Sequence, residues 1–132
     1  MAHALIWTDP ALSDLEAVAH YIAIENEPAA AKLVTRVFKH VEMLTELPGM
    51  GPRIPELRDN LRYRQLSEPP LRIFYRFDAE LGRILVLAVM RTERLFQSDI
   101  LTSREKTLRK KVPGKKDVSL PPRRPKQRKR LA

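Results

Sequence analysis

The feature that most constrains this chain is a pair of helix-length segments joined by a very short connection, each announced by the same start signal. Asp9-Pro10 places an Asp at the N-cap and a proline at the first helical position, where a missing N–H leaves no hydrogen bond unmade. Leu12, Leu15, Ala19 and Ile22 then recur at three- and four-residue spacing, which gives one apolar face. Asp14 and Glu16 read as first-turn acids, where the helix dipole favours negative charge. Asn26-Glu27-Pro28 ends this helix and starts a second by the same device. The second places Ala30, Leu33, Val34, Val37, Val41, Leu44 and Leu47 on one stripe, with Lys32, Arg36, Lys39 and Glu42 off it. Pro48-Gly49 stops it. Helices joined so closely must run antiparallel, so residues 9–47 are expected to form a helical hairpin.

The rest of the fold is strand. Ala4–Trp7 is an apolar run ahead of the hairpin, and residues 49–55 are a loop rich in Gly and Pro. Arg62–Leu66 is a first strand candidate, followed by a turn at Glu68-Pro69-Pro70. Leu71–Asp78 alternates: Leu71, Ile73, Tyr75 and Phe77 point one way, and Arg72, Phe74, Arg76 and Asp78 the other. Ala79–Gly82 is a hairpin turn. Ile84–Met90 is continuously apolar, as an interior strand covered on both faces should be. The expectation is an α+β fold of order β-α-α-β-β-β. A small antiparallel sheet carries the helical hairpin on one face, and the first strand completes it beside the last. Trp7, Tyr21, Tyr63 and Tyr75 are expected to pack in the core or against the sheet.

Charge is divided along the chain. The formal net charge is +9, but residues 104–132 hold 13 Lys or Arg against two acids, while residues 1–103 hold 12 basic and 14 acidic residues. A globular domain over 1–103 is therefore near neutral. A tail over 104–132, interrupted by Pro113, Pro121, Pro122 and Pro125, is too basic and too poor in apolar residues to pack, and is expected to be disordered unless bound. A short helical stretch over Ser98–Leu108 has only Ile100, Leu101 and Leu108 as large anchors. Such a tail would hold DNA or RNA without sequence preference, by counterion release, through Arg109, Lys110, Lys111, Lys115, Lys116, Arg123, Arg124, Lys126, Arg128, Lys129 and Arg130. No aromatic side chain interrupts it, so base stacking is not available there.

Several function classes drop out. Without cysteine there is neither a disulfide nor a thiolate metal site. His3, His20 and His40 have no metal-ligand spacing and belong to no Ser/His/Asp set. The glycines Gly49 and Gly51 stand in a loop bounded by prolines rather than at a helix start, so they are not a phosphate loop. No metal and no cofactor is expected. The N-terminus lacks a basic start followed by a long apolar run, and no window approaches the roughly 18 apolar residues of a membrane span, so a soluble cytoplasmic protein with no membrane partner is expected.

Particular motifs in fixed order carry a resemblance. They are Ala11-Leu12-Ser13-Asp14-Leu15 with His20-Tyr21-Ile22-Ala23, then Asn26-Glu27-Pro28-Ala29-Ala30-Ala31, then Leu47-Pro48-Gly49-Met50-Gly51. Glu56-Leu57-Arg58, Leu71-Arg72-Ile73-Phe74-Tyr75-Arg76-Phe77-Asp78 and Ile84-Leu85-Val86-Leu87-Ala88-Val89-Met90-Arg91 follow. In this order, over about 90 residues and ending near Phe96, the chain resembles the RelE/ParE toxin superfamily, its ParE-like branch in particular. The resemblance implies a small toxin silenced by a cognate antitoxin protein encoded beside it. In the ParE-like branch the target is DNA gyrase, inhibited without catalysis. In the RelE-like branch the toxin is an endoribonuclease that cuts messenger RNA on the ribosome. One fold serves both chemistries.

Under the nuclease alternative, Arg62, Arg64, Arg72 and Arg91 fall near the family's basic positions and would orient the scissile phosphate and stabilise its charge from the open sheet face. Arg76 and Arg94 lie nearby. Beyond Arg91, where the nuclease branch often has a tyrosine, this chain reads Leu95-Phe96-Gln97. The plainer reading is that the arginines pair with acids on the antitoxin or are simply solvated. A third alternative is a toxin-derived, non-toxic protein that binds nucleic acid through its tail.

Overall fold

The computed structural model describes residues 3–57, 60–97 and 99–111, with side chains described as far as residue 108. The order is β1 (Ala4–Trp7), α1 (Asp9–Glu25), α2 (Glu27–Glu42), a 3-10 turn (Met43–Thr45), β2 (Arg64–Glu68), β3 (Leu71–Asp78), β4 (Arg83–Arg91) and α3 (Asp99–Lys111). The sheet runs β1-β4-β3-β2. The three-strand meander is antiparallel, as expected, but β1 lies parallel to β4, with Ala4 opposite Arg83 and Trp7 opposite Val86. The sheet is therefore mixed. The helical hairpin is the crossover that lets the chain leave β1 and return to the sheet without reversing the strand's direction.

Both hairpin helices start close to where their signals place them. The cap of α1 is Thr8 rather than Asp9: its Oγ1 accepts from the Ala11 N–H at 3.3 Å and donates to the Val86 carbonyl at 2.8 Å. Thr8 wins because one hydroxyl there closes the helix and also ties it to β4, while Asp9 becomes the first-turn acid. Asn26 caps α2, accepting from Ala29 N–H at 3.0 Å. The 3-10 turn tightens the end of α2, so Leu44 enters the core while Leu47, counted on the stripe, is 55% exposed.

One face of the sheet buries Leu66, Leu71, Ile73, Tyr75, Ile84, Val86 and Val89 against Leu12, Leu15, Ala19, Leu33, Val34 and Val37 of the hairpin. The opposite face buries Phe74, Leu85, Leu87 and Ala88 with Ile54, Tyr63 and Leu101. Each fully buried Leu, Val or Phe contributes about 1.5–3 kcal/mol, so both faces hold the fold together. The alternation expected of β3 holds. In β4, Phe74 pairs with Ala88 and Tyr75 with Val86, leaving Leu87 as a bulge. The extra residue puts Leu87 and Ala88 on the same side and resets the phase of Val89 and Arg91. Gly51 sits where a Cβ would meet the Gln65 carbonyl oxygen and, at 2.8 Å, the Tyr75 hydroxyl, so no larger residue fits.

Strand β2 begins two residues later than expected. The Asn60 side chain accepts from the Arg62 N–H at 2.8 Å, and Arg62 and Tyr63 turn toward α3 before pairing starts. The boundary expected after residue 103 falls inside α3, which continues to Lys111. Arg104 and Glu105 both engage the domain. Trp7, Tyr63 and Tyr75 are buried as expected, but Tyr21 is 60% exposed. The reason is geometric: position 21 falls outside the 12-15-19-22 stripe that α1 turns to the sheet. Among the described residues no helix is long and apolar enough to cross a membrane.

Candidate functional site

Beyond its pairing with β1, the outer edge of β4 has no further strand. Its polar backbone groups are met by side chains instead. Asp14 of α1 accepts from the Val89 N–H at 3.0 Å, and Arg104 of α3 donates to the Leu87 carbonyl at 2.8 Å. The two side chains also pair with each other at 2.7 Å. This closes the edge and locks α1, β4 and α3 together; an unmet buried N–H would cost about 1–3 kcal/mol.

On the face covered by α3, Glu105 is 4% exposed and collects three donors. Tyr63 donates its hydroxyl at 2.8 Å, Arg62 its Nε at 3.2 Å, and Arg76 makes a close ion pair. Burial alone pushes the Glu105 carboxyl up, but the hydrogen bonds from Arg62, Tyr63 and Arg76 outweigh it and hold the group below the usual carboxylate range. Burial and the bond to Glu105 push the Tyr63 hydroxyl up. A carboxylate so fully engaged has no lone pair to spare for proton transfer, so the cluster reads as the pin that fastens α3. Nothing flagged Glu105 in the sequence except its rarity as an acid in a basic segment.

Arg72 is held on the same face. It grips Glu56 bidentately at 2.8 and 3.1 Å, bonds Gln65 at 2.7 and 3.0 Å, and stacks over Phe74 and Phe96 at 4.9 and 5.6 Å. The Arg72 hydrogen bond keeps the Glu56 carboxyl low. Phe96 stands where the nuclease branch often carries its tyrosine and is used for stacking. Arg64, cross-strand from Tyr75 on the hairpin face, donates to the Gly51 carbonyl at 2.8 Å. Arg91, opposite Leu71, also belongs to the hairpin side: its guanidinium lies 4.6 Å over the Tyr21 ring and pairs with Glu93 at 2.7 Å. The arginines singled out from sequence are thus divided. Arg62, Arg72 and Arg76 reach the α3 side; Arg64 and Arg91 stand on the other.

Arg109, Lys110 and Lys111 fall in the last turn of α3, while Lys115, Lys116, Arg123, Arg124, Lys126, Arg128, Lys129 and Arg130 lie outside the described residues. Arg58, part of the Glu56-Leu57-Arg58 motif, also lies outside them. Among the described residues no group of three or more His, Asp or Glu could hold a metal ion.

The family model described as ParE toxin of type II toxin-antitoxin system, parDE, matches residues 5–96. Among solved structures, the chromosomal ParDE system of P. aeruginosa is similar at 24% identity and a TM-score of 0.58, covering 70% of this chain and 98% of that one. E. coli toxin RelE, as a mutant in its free state, is similar at 19% identity and a TM-score of 0.50, covering 82% of this chain and 99% of that one. These likenesses show the fold alone. No curated protein matches the sequence. With strand, hairpin and meander all inside the matched span, the chain belongs to the ParE toxin family of type II toxin–antitoxin systems.

Proposed function

We propose that this protein is the toxin of a ParDE-type pair that inhibits DNA gyrase by binding it, and that a cognate antitoxin keeps it silent. One observation carries the choice of mechanism: Arg72 and Arg91 lie on opposite sides of the sheet, each with its own internal carboxylate. Stabilising a transferring phosphate needs donors converging on one point about 3 Å away, and these two do not converge. Glu105, the buried carboxylate nearest to such a role, is bound by three donors. The arginines serve the fold, and binding is left as the means of action.

Induced expression in a sensitive bacterium tests this. Gyrase inhibition predicts double-strand breaks and an SOS response, with toxicity retained in the Arg72→Ala/Arg91→Ala double variant provided it still folds. Rapid translation arrest with codon-sited mRNA cuts, abolished by that double variant, would instead make the protein a ribosome-dependent endoribonuclease. Unimpaired growth would favour a non-toxic protein acting on nucleic acid through its basic tail.

A further inference from the structure

The outward side of α1 is apolar where a solvated helix should be polar. Ala17, Tyr21 and Ile24 follow each other at four- and three-residue spacing, so they form a second stripe, turned away from the sheet. Tyr21 is 60% and Ile24 73% exposed, and across a groove of about 260 Å³ the 92–97 loop presents Leu95 at 86%. Ala17, Val18, Met90 and Leu95 supply apolar lining to this groove, and Arg91 and Arg94 line it too. Single exposed apolar residues are ordinary; a stripe with a groove beside it marks a contact surface.

The charges say what kind of partner fits. Arg91 is held over Tyr21 by stacking, and its acid, Glu93, is itself largely exposed and so open to replacement. Arg94 is exposed and pairs with no carboxylate among the described residues. A nucleic acid is a poor fit: the Tyr21 face is already covered by a guanidinium, and Asp14 and Glu93 would repel phosphate. A protein segment with an apolar ridge flanked by Asp or Glu would fill the groove and reach both arginines. Tyr and Arg are the side chains that dominate binding energy when a partner desolvates them.

We infer that the α1 stripe of Ala17, Tyr21 and Ile24, with Leu95, Arg91 and Arg94, is the docking surface for an acidic amphipathic segment of the antitoxin. This rests on the toxin–antitoxin reading above. The probe is the purified product of the reading frame beside this chain's gene, titrated against the full-length chain. Tyr21→Ala with Ile24→Gln should raise its Kd at least about 30-fold, with an unchanged melting temperature. Lys32→Ala with Lys39→Ala, on the outward side of α2, should leave Kd within about twofold. If the parent chain does not bind the probe, the toxin–antitoxin reading fails and this inference with it. If the parent binds and both double variants bind equally well, only the docking surface is overturned. Self-association lost in the Tyr21/Ile24 variant, with antitoxin binding intact, would assign the surface to a second copy of the chain and overturn it as well.

Discussion

The two helices of the hairpin have nearly the same length and the same start device, yet they meet solvent differently. The outward side of α2 carries Lys32, Thr35, Arg36, Lys39 and Glu42, whereas α1 turns Ala17, Tyr21 and Ile24 outward. Inward, the two are alike: Leu15 and Ala19 of α1 and Leu33 and Val37 of α2 are all buried in one core. The lesson is that one apolar stripe is what folding requires, and a second on the same helix points to something folding does not use. Ties to the sheet differ as well. α2 is linked at its exposed flank through Arg36 and His40 to Glu68, while α1 is held by Asp14 to the β4 backbone and to Arg104.

The inward equivalence is the easiest part of this comparison to break. Leu15→Ala and Leu33→Ala should each lower unfolding free energy by about 3 kcal/mol in urea titrations. A loss under 1 kcal/mol at either site would mean that the two inward faces are not one core. Next comes the pin under α3, which braces the sheet on the side away from α2. Glu105→Gln should cost about 2 kcal/mol at neutral pH, because hydrogen bonds to charged partners are lost. The Glu105 carboxyl is held low in the folded state, so its stabilisation is complete above the ordinary carboxylate pKa near 4.5 and disappears as pH falls through the lower folded value. The gap between parent and variant should therefore close in acid; a gap that is constant from pH 7 to pH 3 would contradict the charge account. Asp14→Ala, which strands the Val89 N–H, should cost about 1.5 kcal/mol, against less than about 1 kcal/mol for Glu68→Ala at the exposed flank of α2. Reversal of that order would mean that α1 is not the more firmly anchored helix.

Much of this architecture was legible because it rests on local chemistry. Asn26 before Glu27-Pro28, the alternation of Leu71–Asp78 and the unbroken apolar run of β4 are each specified by adjacent residues. What was not legible depends on distant partners. Tyr21 looked like a core aromatic because its type favours burial, but helical phase puts it outside. Nothing near Arg104 or Glu105 announces that Asp14, Arg62 and Tyr63 are waiting for them, so a boundary drawn from charge alone cut through α3. The candidate arginines were found by resemblance, and their separation onto two sides of the sheet follows from strand register and the Leu87 bulge, neither of which can be read from composition.

The most direct measurement of the proposed mechanism is a purified reaction of this protein with DNA gyrase, ATP and a relaxed plasmid. The account predicts loss of supercoiling and accumulation of cleaved plasmid as the protein is added, unchanged by Arg72→Ala with Arg91→Ala. Undisturbed supercoiling at saturating protein, together with cutting of ribosome-bound mRNA that the same double variant abolishes, would contradict it.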